Sequence, residues 1–182
     1  LATSRKINQS KGDYSVKSVL TELRFYLIMP ALMASSFLLT GFLFHQVKIV
    51  ETKGWELTIF ASGFVGLAIS LFSTSLLLGY LIDKWKAFRL LPFILFPLAI
   101  GLLLLSYYDS EIIGFLFLIL VGISFGANVT ISGVIWPELY GTKNLGAIKS
   151  ISKSLMILSS ALSPWVFGFL FDLGFNLREI SY

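Results

Sequence analysis

The chain has 182 residues, of which 56% are hydrophobic and only 13% charged, too few charges to solvate an ordinary globular surface. It contains no cysteine and a single histidine, which excludes disulfides and thiolate metal centres and leaves little for any other metal or cofactor site. The net charge of +4 is explained by the placement of the basic residues about a membrane, so no nucleic-acid partner is needed.

Residues 1–24 are polar and basic, with Arg5, Lys6, Lys11, Lys17 and Arg24. They read as a flexible linker that ends in a short amphipathic turn over 16–23. The first residue is Leu and no signal-peptide pattern follows it, so the chain is expected to be a piece of a longer protein. Five apolar runs come next, at about 25–44, 57–82, 90–108, 112–136 and 146–171. Each can cross a hydrocarbon core of roughly 30 Å, which takes about 20 helical residues. None alternates as a barrel strand would. The expected class is an all-α polytopic membrane protein, with a linker at 1–24 and a helical bundle over 25–182.

Flanking charges orient it. Lys84, Lys86 and Arg89 follow the second span, and Lys143, Lys149 and Lys153 surround the start of the fifth, on the same side as the five basic residues of the linker. Only Lys48, Lys53 and Arg178 fall on the other side. The positive-inside rule puts the N-terminus in the cytoplasm and the end of this chain outside, in a plasma or bacterial inner membrane. Trp55, Trp85, Tyr107, Tyr108, Trp136 and Tyr140 fall near the predicted interfaces, as amphipathic rings do.

Several polar residues inside the spans are candidates for a solute path. Ser124, Asn128 and Ser132 share one face of the fourth span, and Asn128 is the only amide within a predicted span. A buried amide in lipid needs either an interhelical partner or a watery cavity. Lys153 lies about a turn inside the fifth span near Ser160; it suits a carboxylate ligand, and equally a lysine that snorkels to the interface. His45 and Gln46 end the first span, where the histidine is either proton-sensitive or simply interfacial. Ser62, Gly66, Ser70 and Thr74 form one stripe on the second span, and Gly122 and Gly126 a Gly-x-x-x-Gly on the fourth. Such faces favour close helix packing. Pro30, Pro97 and Pro164 are placed to kink three spans, and Pro137 to end the fourth.

The stretch Gly79 to Arg89 holds an oddity. Asp83 lies at the C-terminal end of a helix, where the dipole disfavours a carboxylate, so it needs a cation or another helix's N-terminus. The run Gly79-Tyr-Leu-Ile-Asp83 has an echo 89 positions on, Gly168-Phe-Leu-Phe-Asp172, and Ser70 meets Ser159 at the same offset. The copies end on opposite sides of the membrane, which points to an inverted three-helix repeat. The second copy lacks its third helix, so the chain is expected to stop one span early.

Gly79, Leu81, Asp83, Lys84 and Arg89 together resemble the loop signature of the major facilitator superfamily, Gly-x-Leu-x-Asp followed by basic residues. Lys86 and Ala87 stand where that family usually has a small residue. The resemblance implies that the five spans are helices seven to eleven of twelve, five-sixths of a C-terminal half. It implies secondary transport of a small solute by alternating access, with membrane lipid, the N-terminal half, the solute and a coupling proton as partners. It also implies a latch in which Asp83 meets the N-terminus of the fifth span, around Asn144–Gly146, while the carrier faces outward. The stretches His45-Gln46 and Pro137-Glu-Leu-Tyr-Gly141 resemble branches that carry monocarboxylates or related anions such as oxalate and formate. A different class of reading is a non-transporting scaffold that binds partners through its small-residue faces. Catalysis lacks support, since the sole histidine sits at an edge and no phosphate-binding loop is present.

Overall fold

A computed structural model describes residues 14–173. Arg5, Lys6, Lys11 and Arg178 of the orientation argument lie outside the described residues. The elements are α1 Val16–Leu20, α2 Leu23–Phe44, α3 Gln46–Lys53, α4 Leu57–Trp85, α5 Ala87–Leu90, α6 Pro92–Tyr107, α7 Glu111–Tyr140 and α8 Leu145–Asp172. The five expected spans are α2, α4, α5 with α6, α7 and α8. No strand occurs among the described residues.

Local chemistry sets the boundaries. Ser15 caps α1 by accepting the Ser18 N–H, and Gly54 ends α3 in the left-handed conformation with φ 67°. Pro92 opens α6, where its missing N–H costs nothing. Pro30, Pro97 and Pro164 lie inside α2, α6 and α8 as expected. Pro137 does not end its helix: α7 runs on to Tyr140, and the Gly141 N–H still reaches the Pro137 carbonyl. One lost hydrogen bond does not break a long membrane helix whose neighbours hold it in line.

The most extensive pairing is α4 on α7, followed by α6 on α7 and α2 on α8 in near-equal measure. The repeat is written into the α4–α7 and α2–α8 pairings. Shifting by 89 positions exchanges α4 with α8 and α7 with α2, so each pairing maps onto the other. The match holds at individual residues. A Cβ on Gly122 would lie 2.1 Å from Ser70 Oγ, and the shifted pair is Ser159, whose hydroxyl donates to the Met33 carbonyl at 3.2 Å. A Cβ on Gly126 would lie 3.1 Å from Thr74 Cβ, and the shifted pair is Ser163, whose hydroxyl donates to the Phe37 carbonyl. Gly41 extends the α2–α8 contact, facing Ser163 and Phe167.

The core has two apolar clusters. One gathers Phe25, Leu32, Ile94, Ile131, Ile135, Trp136 and Tyr140 toward the basic face; the other gathers Phe42, Trp55, Phe60, Leu105 and Phe117 toward the opposite face. Trp136 and Tyr140 are each 1% exposed, so they are core residues and not lipid-facing rings. The reason is local: Trp136 stacks on Tyr140 and also meets Phe25 of α2. Val65, Ile69, Phe72 and Leu76 stay exposed on one side of α4, the apolar face a membrane helix turns to lipid.

The end of the expected flexible linker is docked, and α1 falls within the amphipathic turn expected over 16–23. The Tyr14 N–H donates to the Tyr140 carbonyl at 3.2 Å and the Asn144 amide donates to the Tyr14 carbonyl at 2.8 Å. Val19 of α1 is buried in the first cluster. On the opposite face Lys53 pairs with Asp109, and the Trp55 indole donates to the Asp109 carbonyl.

Candidate functional site

A cavity of about 280 Å³ opens between α2, α7 and α8. Its polar lining is Ser36 and Thr40 from α2, Asn128 and Ser132 from α7, and Lys153 and Ser160 from α8. Helical spacing explains the convergence. Ser36 and Thr40, Asn128 and Ser132 are i, i+4 pairs, so each helix brings both of its groups to one face. Phe125, Val129, Met156 and Ile157 complete apolar walls.

The polar groups are only partly satisfied by one another. Thr40 and Ser160 share a hydrogen bond of 2.7 Å. The Asn128 amide donates weakly to Ser36 Oγ at 3.5 Å, while its Oδ1 is buried without a partner. Ser36 donates back to the Leu32 carbonyl. Buried polar groups normally find partners, so an open Asn128 acceptor on a cavity wall marks a place for a donor from a solute or from water. Lys153 is exposed and carries the only ammonium among the lining residues of this cavity.

The sequence-predicted residues divide around it. Asn128, Ser132, Lys153 and Ser160 come together on the cavity. Ser124, on the same face of α7, lies beyond the cavity; it is 2% exposed and its Oγ has no partner. His45 faces α8 elsewhere: its Nε2 meets the Pro164 carbonyl at 3.0 Å, and its ring lies among Phe44, Phe167 and Phe171. Gln46 begins α3 and borders a separate apolar cleft with Phe42, Phe60 and Phe117. Ser36 and Thr40 escaped the sequence reading. Their signal was the i, i+4 spacing of two hydroxyls in an otherwise apolar span.

The loop stretch is placed differently from the latch. Asp83 is exposed and makes no hydrogen bond or ion pair among the described residues, and Lys84 instead sits over the Tyr80 ring at 4.5 Å. Gly79 and Gly146 have open space around them. The latch is not formed within this chain because α4 packs on α7 while α8 packs on α2. The carboxylate that does bind the loop is Glu138, whose Oε2 accepts the Ala87 N–H at 2.7 Å. Arg89 on α5 is exposed, and Leu81 near the end of α4 packs against the first apolar cluster.

The family model of the Major Facilitator Superfamily matches residues 3–172, nearly the whole chain. The chain belongs to the Major Facilitator Superfamily. None of the curated proteins and none of the solved structures compared matches it. As a major facilitator, the chain comes from a family of membrane transporters, and its five long apolar helices suit a multi-pass protein in a lipid bilayer with a small-molecule substrate.

Proposed function

We propose that this superfamily member moves a small organic anion, such as a monocarboxylate, and that the cavity between α2, α7 and α8 is the inner wall of its path. The observation that carries this reading is Lys153, an ammonium on the wall of a 280 Å³ cavity whose other polar groups are hydroxyls and the Asn128 amide. A carboxylate takes charge-assisted bonds from a lysine and further donors from Ser and Thr hydroxyls. A lysine so placed costs less when its counter-charge arrives with the solute than when it sits bare in an apolar surround.

The exposed side of Lys153 would face a second bundle, the N-terminal half implied by the family resemblance, with the path between them. The basic loops put the linker side in the cytoplasm. In this proposal Asp83 finds its helix N-terminus on that second bundle in the state closed to the cytoplasm. A coupling proton remains compatible with the site. His45 then serves to pin α2 to α8.

The scaffold reading loses its main support. The small residues it relied on, Gly122 and Gly126, are already covered by α4 inside this chain. Flux separates the two classes. Full-length protein in liposomes should accumulate a labelled monocarboxylate from a panel of acids, sugars and amines, with and without a proton gradient. No uptake of any solute sinks the carrier reading.

A further inference from the structure

A second chamber, of about 120 Å³, adjoins the first on the side of the α7–α8 connection. The two share Val129, Ser132, Lys153 and Met156, and the second adds Gly133, Trp136, Lys149 and Ser152. Lys149 and Lys153 are one turn apart on α8, and at 1.5 Å of rise per residue their backbones are separated by about 6 Å along the axis. Lys149 stands nearer the start of the helix at Leu145. Ser152 is 1% exposed, and its Oγ has no hydrogen-bond partner. A hydroxyl so buried normally has one. Trp136 and the bare backbone of Gly133, which has nothing within 4 Å of its Cβ position, form the facing wall.

We infer that this chamber is a second carboxylate subsite, in which Lys149 and Ser152 hold the substrate's anionic group between the central cavity and the face that carries the α7–α8 connection. The inference rests on the carrier reading and deepens it. A monoanion leaving Lys153 would otherwise cross the lipid-depth interior uncompensated, at high electrostatic cost. With Lys149 one turn along, it passes from one ammonium to the next. Ser152 supplies a neutral donor at the step, and Ser132 borders both positions. The orphaned hydroxyl and the second cation are then two parts of one feature.

The chain has no cysteine, so an introduced thiol reports the chamber without need of a known substrate. In full-length protein otherwise free of cysteine, Ser152→Cys is reacted with an anionic sulfonatoethyl and a cationic trimethylammonium-ethyl methanethiosulfonate, each rate divided by that for free cysteine. The anionic reagent should lead by about tenfold, as one positive charge about 6 Å away gives even in a water-like dielectric. Lys149→Gln should lower the ratio several-fold, with the remainder owed to Lys153, Lys149→Arg should preserve it, and acetate should protect the thiol from the anionic reagent less well once Lys149 is neutralised. A thiol unreactive to both reagents, a ratio unmoved by Lys149→Gln, or acetate without effect would each overturn the subsite. Should Ser152→Cys fail to fold, Ser132→Cys on the shared wall reads the same ratio. Because this readout needs no flux, a protein that keeps the ratio yet transports nothing would fault the carrier reading alone.

Discussion

Lys86 is the only non-glycine among the described residues with a positive φ, at φ 67° and ψ 142°. That region is nearly reserved for glycine, and holding another residue there costs on the order of 1–3 kcal/mol. It persists because the following Ala87 is fully buried and its N–H is bound to Glu138. Lys86→Gly should therefore raise thermal stability, by about 1 kcal/mol once the extra chain entropy of glycine is deducted. Lys86→Ala, which keeps the strain, should not. Gly122 presents the opposite case, since an added Cβ would meet Ser70 Oγ at 2.1 Å and the Leu67 carbonyl at 2.4 Å. Gly122→Ala should lower stability by about 1–3 kcal/mol through overpacking, whereas Gly133→Ala, with open space around it, should not. Both are read as melting temperatures in detergent. At this scale the sequence showed unusual residues well and ordinary ones poorly. Asn128 and Lys153 stand out in apolar runs, but Ser36 resembles any hydroxyl that bonds its own helix, as it does to the Leu32 carbonyl.

At the scale of elements, the five spans were legible because long apolar runs have few alternatives. Their partners were not, since an apolar helix that is buried on one side and lipid-facing on the other shows little periodicity. The repeat supplied the missing rule. Its 89-residue offset, visible in Gly79–Asp83 and Gly168–Asp172, predicts that whatever α4 does to α7, α8 does to α2, and Ser70, Thr74, Ser159 and Ser163 obey it. The same offset says nothing of α3, an eight-residue helix that the sequence presented as a plain connection. The loop after α4 shows how a motif can mislead about its partner. Asp83 stays exposed, and Glu138, which the sequence offered only within the Pro137–Gly141 stretch and not as a partner of this loop, holds it. Because Asp83 makes no hydrogen bond or ion pair here, Asp83→Asn should leave protein level near normal while slowing transport in full-length protein. A normal rate would remove Asp83 from the gating cycle.

For the whole molecule, the pairing of α2 with α8 and of α4 with α7 leaves a polar cavity bounded by α2, α7 and α8, with Lys153 exposed at its edge. Serine and threonine hydroxyls tie α2 to α8 around it, which fixes the wall without filling the cavity. Under the proposal made above, this arrangement places a cation on the solute's path, and a preference for anions would follow from it. The most direct test compares uptake of a labelled monocarboxylate into liposomes by full-length wild type, Lys153→Gln and Lys153→Arg. Lys153→Gln should lose at least about tenfold in uptake efficiency, the worth of one charge-assisted bond of roughly 1.5–3 kcal/mol, with substantial recovery in Lys153→Arg. Equal uptake by wild type and Lys153→Gln, at matched protein levels, would contradict an anion path past Lys153.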